Sequence, residues 1–135
     1  MLLGEMLFPP ADSRRTTLSL LTWWESRRPT FNMVVGAVGV FTLVFVKLIS
    51  LLPPGIPMPP LGWEPVVLYG VLANVCYTFG WGFEAVAQRL WGEKCPRFGP
   101  ALFRQGIAFS VGLTLLPVLL TSITWVMRVL QLLFR

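Results

Sequence analysis

Residues 105–127, QGIAFSVGLTLLPVLLTSITWVM, carry no charged side chain, and Arg104 and Arg128 close the run at its two ends. A second uncharged run covers residues 65–83, and a third, from Phe31 to Leu52, is broken only by Lys47 near its far end. At about 1.5 Å per residue, apolar runs of roughly 18 residues or more match the ~30 Å hydrocarbon core of a bilayer. In lipid the backbone finds no water to bond, so each run must close its own hydrogen bonds as an α-helix. The expected fold is therefore an all-α membrane protein with three transmembrane helices, spanning about 31–52, 65–88 and 105–127.

Composition supports that class. Apolar residues make up 55% of the 135 residues and charged residues only 13%, well below a soluble domain's share. The net charge of +5 sits in basic residues flanking the apolar runs, a placement that suits membrane-lipid headgroups rather than nucleic acid. Histidine is absent, which removes the commonest metal ligand and general base. Cys76 lies in an apolar run and Cys95 in a charged connector, so neither a disulfide nor a metal-ligand spacing is expected. The start, MLLGEMLFPP, has no basic n-region and does not read as a cleaved signal peptide.

Residues 1–30 read as an N-terminal arm and a short amphipathic interfacial helix, followed by the three-helix transmembrane domain at 31–135. Asp12-Ser13 offers a helix cap, Leu18, Leu21 and Trp24 share one face, arginines stand at both ends, and Pro29 is expected to end the helix. Pro53, Pro54, Pro57, Pro59 and Pro60 make the first connector a stiff, non-helical turn. Residues 92–104 form a short glycine- and proline-punctuated connector. Pro117 is expected to kink the third span, since a break there leaves halves too short to cross. Arg14, Arg15, Arg27 and Arg28 precede the first span, and Arg89, Lys94, Arg97 and Arg104 surround the second connector, while the proline loop has no Lys or Arg. The positive-inside rule puts the N-terminus and second connector in the cytoplasm, and three crossings leave the C-terminus outside.

Polar and small residues recur at helical spacing along the spans. Asn74, Thr78, Glu84 and Gln88 form one such stripe; Gly106, Ser110, Thr114, Thr121 and Thr124 form another. Lipid cannot satisfy polar side chains, so both faces are expected to meet other helices or a hydrated path. Glu84 falls where the second span leaves the hydrocarbon, on the same side as Arg28 and Arg104, and a charge clamp of Glu84 with either cation is expected to pin the inner helix ends. No Ser-His, Cys-His or paired-carboxylate arrangement and no phosphate loop occurs, so no catalytic, metal or cofactor site is expected and the chain does not read as an enzyme.

Residues 23–36, WWESRRPTFNMVVG, and 73–84, ANVCYTFGWGFE, resemble a pattern in small uncharacterised bacterial multi-pass inner-membrane proteins. In that pattern a tryptophan, an acid and basic residues precede an asparagine opening the first helix, and the second helix carries Asn, an aromatic, Gly and Glu. Trp24, Glu25, Arg27, Arg28 and Asn32, then Asn74, Tyr77, Gly80 and Glu84, carry the match. The resemblance implies a bacterial inner-membrane location and no activity. The residues themselves point to a protein acting by helix packing, as an accessory or assembly subunit of a membrane complex or as a self-associating scaffold. The alternative is a small homo-oligomeric channel whose third helix lines the pathway, with Ser110, Thr114, Thr121 and Thr124 facing water. Partners are accordingly membrane lipids and either other membrane subunits or copies of the chain.

Overall fold

The computed structural model describes residues 16–57, 62–92 and 98–134, and among them the chain is helix and turn with no strand. Its helices are α1 (Thr17–Glu25), α2 (Arg28–Leu51), α3 (Glu64–Trp91) and α4 (Gly99–Leu133). Three helical stretches are long and apolar enough to cross a membrane: α1 with α2, α3, and α4.

α1 starts at a capping box. The Ser19 N–H bonds Thr16 Oγ1 at 3.2 Å and the Thr16 N–H bonds Ser19 Oγ at 3.0 Å, satisfying two donors the helix start leaves open. The cap expected at Asp12-Ser13 lies outside the described residues. Pro29 does not end α1. That helix stops at Glu25, a two-residue turn follows, and Pro29 sits in the first turn of α2, where its missing N–H would have gone unpaired anyway. The face of α1 that packs inward is Leu20 and Trp24, four residues apart, whereas Leu18 and Leu21 are exposed.

α3 ends at Gly92, whose φ of +54° is a backbone turn that glycine adopts without the penalty a side chain brings. α4 is longer than the run that announced it. Gly99-Pro100 of the expected connector form its first turn, and it continues through Pro117 to Leu133 as one helix. Proline costs this helix a single backbone hydrogen bond and does not divide it.

α2 and α4 pack along much of their length, α3 leans on α4 and α1, and α3 scarcely meets α2. The buried core gathers at the end of the bundle where α1 crosses α3: Leu20, Trp24, Phe31, Val35, Ala73, Tyr77 and Phe103. Elsewhere the helices turn leucine, valine and phenylalanine outward, Phe79 and Phe109 among them. Water would not tolerate that surface, and a bilayer does.

Candidate functional site

Among the described residues, Glu84 is the one acidic or basic side chain that is buried. Its side chain points inward from α3 and is only 8% exposed. Oε2 accepts the indole Nε1–H of Trp24 at 2.7 Å, and Oε1 accepts the backbone N–H of Gly99 at 3.1 Å. One carboxylate thereby joins α1, α3 and the first residue of α4. The carboxyl group also sits at the positive end of the α4 dipole, and Pro100 leaves no further N–H in the next position to satisfy.

Two glycines make the approach possible. A Cβ on Gly99 would stand 2.7 Å from Glu84 Oε2, so any side chain there would push the carboxylate away. A Cβ on Gly80 would stand 3.1 Å from Trp24 Cη2, so the indole lies against bare backbone. Tyr77 closes the pocket, its hydroxyl donating to the Trp24 carbonyl. Tyr77 and Phe103 set their rings edge-on to the indole, at centroid distances of 5.3 and 6.2 Å. That geometry suits aromatic quadrupoles.

A second polar group lies beside the first. Arg28 grips Glu25 through two bonds, Nε–Oε2 at 2.8 Å and Nη2–Oε1 at 2.6 Å. It also reaches α3, donating to Asn74 Oδ1 at 3.4 Å and Thr78 Oγ1 at 3.3 Å. Asn74 returns its Nδ2 to Asn32 Oδ1 at 2.9 Å. Arg27 lies 4.0 Å over the Trp23 ring and bonds the Trp23 carbonyl at 2.7 Å. Of the two cations named for Glu84, Arg28 thus forms its ion pair with Glu25, and Arg104 is exposed on the second turn of α4.

No family model, curated protein or solved structure matches the chain.

The α4 stripe splits in two. Thr114 and Thr121 are buried and Ser110 is half-buried, while Gly106 and Thr124 are exposed. Thr114 is a junction: its hydroxyl pairs with the Tyr69 hydroxyl and donates to the Ser110 carbonyl, and its own carbonyl accepts the Thr42 hydroxyl at 2.9 Å. The Tyr69 hydroxyl oxygen also lies 3.1 Å from the Ser110 carbonyl, so the two hydroxyls share their two protons among three contacts. Threonine on α2 and tyrosine on α3 are thus both tied to one turn of α4. Thr124 gives its hydroxyl to Leu120 of its own helix. At the far end, Arg128 donates to the Gly55 carbonyl at 2.6 Å, holding α4 to the first connector.

Because α2 and α3 stand apart, a cavity of about 520 Å³ opens between them with α4 as its floor. Gly36 and Gly39 line one wall, Gly70 and Ala73 the other, and Asn32 and Asn74 stand at one end. Among the described residues no three His, Cys, Asp or Glu side chains gather closely enough to hold a metal ion. From the sequence Trp24, Tyr77 and Gly80 stand out only on a helix face or in the resemblance and Gly99 only in a connector, and none of the four as a partner of Glu84. Their one signal is the pairing of bulky aromatics with glycines inside helices.

Proposed function

We propose that the protein works by helix packing, as an accessory or assembly subunit of a larger membrane complex or as a scaffold of identical chains. The supporting observation is a set of glycines that the chain's own packing does not use. Gly82 on α3 and Gly106 and Gly112 on α4 lie inside helices, yet a Cβ on any of them would meet nothing within 4 Å. A helical glycine costs roughly 0.8–1.0 kcal/mol against alanine. Small residues are what let a second membrane helix approach closely.

In this reading the protein resides in a bacterial inner membrane with its N-terminus cytoplasmic. The exposed Leu18 and Leu21 of α1 dip into the interface while Leu20 and Trp24 hold the helix to the bundle. Thr114 and Thr121, which a pore built on α4 would turn to water, lie within the chain's own packing, and this favours packing over conduction.

The test is native mass spectrometry of the gently solubilised particle, with co-purified proteins identified, on the natural chain and on Gly106→Leu. A defined complex that Gly106→Leu breaks to the single chain is the expected result. A monomer for the natural chain would defeat the proposal.

A further inference from the structure

We propose that the groove on the face of α3 carrying Asn74 and Thr78 is a blind water inlet, filled from the Glu84 end of the helix as far as Asn74. This goes beyond the packing reading and does not depend on it.

The groove follows α3 from Phe83, beside Glu84, back to Val67, and Arg28 lines its other side. Arg28 and Glu25 form an ion pair whose side chains are 25% and 41% exposed. On α2 that pair stands just before the uncharged stretch, where a bilayer would set its border. On α3 the same pair stands deep. The Arg28 guanidinium bonds Asn74 and Thr78 at 3.4 and 3.3 Å, and Asn74 is the middle residue of the uncharged run 65–83. From Glu84 to Asn74 the helix rises about 15 Å, one leaflet's share of a ~30 Å hydrocarbon core. The two helices are staggered, so a charge pair rests against the part of α3 that should be driest.

Charge selects the occupant. A hydrocarbon chain cannot solvate an exposed ion pair. A phosphate gains little, because Glu25 already neutralises Arg28. Among the described residues the Glu25 carboxylate accepts from Arg28 alone, two bonds where such a group takes about four. A helix laid over the groove would strip water from the remaining lone pairs, the costly case for an ion pair. Water satisfies them, and the leaflet beside α3 parts or thins to admit it. Its path ends at Asn74, since Val71, Gly70 and Val67 line the rest with no polar side chain. Gly82 stands near the mouth, so where water enters, packing uses Gly106 and Gly112 of α4 instead.

The experiment measures labelling by a charged methanethiosulfonate on the full chain in native membranes opened to both faces. Asn74→Cys, Thr78→Cys and Leu72→Cys are made in a Cys76→Ser, Cys95→Ser background, and the natural Cys76 is read in Cys95→Ser. Asn74 and Thr78 line the groove, whereas Leu72 and Cys76 are exposed on α3 outside it. Asn74 lies between the two controls along the helix, so depth alone cannot separate them. Both groove thiols should react about tenfold or more faster than the controls, because the reactive thiolate forms in water and not in hydrocarbon. Replacing the pair by Glu25→Leu with Arg28→Leu should bring Thr78→Cys down to the control rate, with helix content by circular dichroism unchanged. Groove thiols as inert as the controls would overturn the proposal, and so would fast labelling that survives loss of the pair. Groove thiols that are inert in native membranes but reactive in vesicles of the purified chain would also overturn it. Another protein would then fill the groove, and the packing reading would stand.

Discussion

Removing the Trp24 indole N–H isolates what the Glu84 junction contributes. Trp24→Phe keeps an aromatic ring between Tyr77 and Phe103 but takes away the 2.7 Å bond, leaving Glu84 with only the Gly99 N–H among its observed donors. Glu84→Met keeps the length of the side chain and removes both acceptors. Interhelical hydrogen bonds in membranes average about 0.6 kcal/mol in double-mutant cycles and reach about 1.7. This one belongs at the upper end. The bond is short at 2.7 Å, Trp24 is 2% exposed and Glu84 8%, and neither finds a replacement partner without opening the junction. The expected coupling is therefore about 1.5 kcal/mol, with each single variant costing roughly 2–3 kcal/mol once the unpaired partner and lost ring contact are included. The double variant should cost less than the sum of the singles by the coupling energy. The assay is reversible unfolding by sodium dodecyl sulfate from mixed micelles, followed by tryptophan fluorescence and helical circular dichroism, on all four proteins. Coupling within about 0.3 kcal/mol of zero, the level of independent sites, would refute the argument that the carboxylate joins these helices.

Three further outcomes follow from the same geometry. Gly80→Ala should destabilise by about 1 kcal/mol or more, because the new Cβ lands 3.1 Å from an indole that cannot retreat, whereas Gly106→Ala should stabilise the isolated chain by nearly 1 kcal/mol; equal effects in the same titration would contradict the packing around Trp24. Tyr69→Phe removes a hydroxyl bonded to both Ser110 and Thr114 and should cost about 1 kcal/mol, and a Thr42→Val change about half that; helix content by circular dichroism should stay constant in both. Cys76 is exposed within a helix apolar enough to cross a membrane, so in a Cys95→Ser background it should resist a charged thiol reagent in intact vesicles and react once the protein is unfolded in detergent; rapid labelling in vesicles would place that side of α3 beside water.

How much of this was legible in the sequence differs with the distance over which residues act. The uncharged runs are local facts, and a bilayer has few ways to accommodate them, so the three long helices followed directly. Helix limits were less legible: Pro29 and Gly99-Pro100 look like breakers, yet both prolines fit the first turn of a helix, and the Glu84–Gly99 bond anchors one of those starts. Spacing on a single helix placed Thr114 and Gly106 on one stripe, but it carries no information on how the helices rotate against one another. The structure puts Thr114 inside and Gly106 outside for that reason. Glu84 was recognised as a residue that ends a span. Its partners carry no such signal: Trp24 lies sixty positions away, Gly99 offers only a backbone N–H, and Arg28 and Arg104 are the simpler electrostatic choice.

The helical glycines connect these levels. Each weakens its helix, and a group approaching closer than a side chain would permit can offset that cost. For Gly80 the approaching group is Trp24, and for Gly99 it is Glu84; at Gly39 the Thr114 methyl lies at 3.9 Å from a would-be Cβ, ordinary contact that alanine would satisfy. Gly36 and Gly70 border the cavity between α2 and α3, where a Cβ would meet nothing within 4 Å. At Gly82, Gly106 and Gly112 a Cβ would meet nothing within 4 Å among the described residues. A bundle whose largest buried side chains, Trp24 and Phe103, gather at one end has little to gain by itself from thinning its helices elsewhere. The cost at those outward positions makes physical sense when another helix lies there, and this is why alanine at Gly106 should strengthen the lone chain while leucine at the same position weakens the assembled particle.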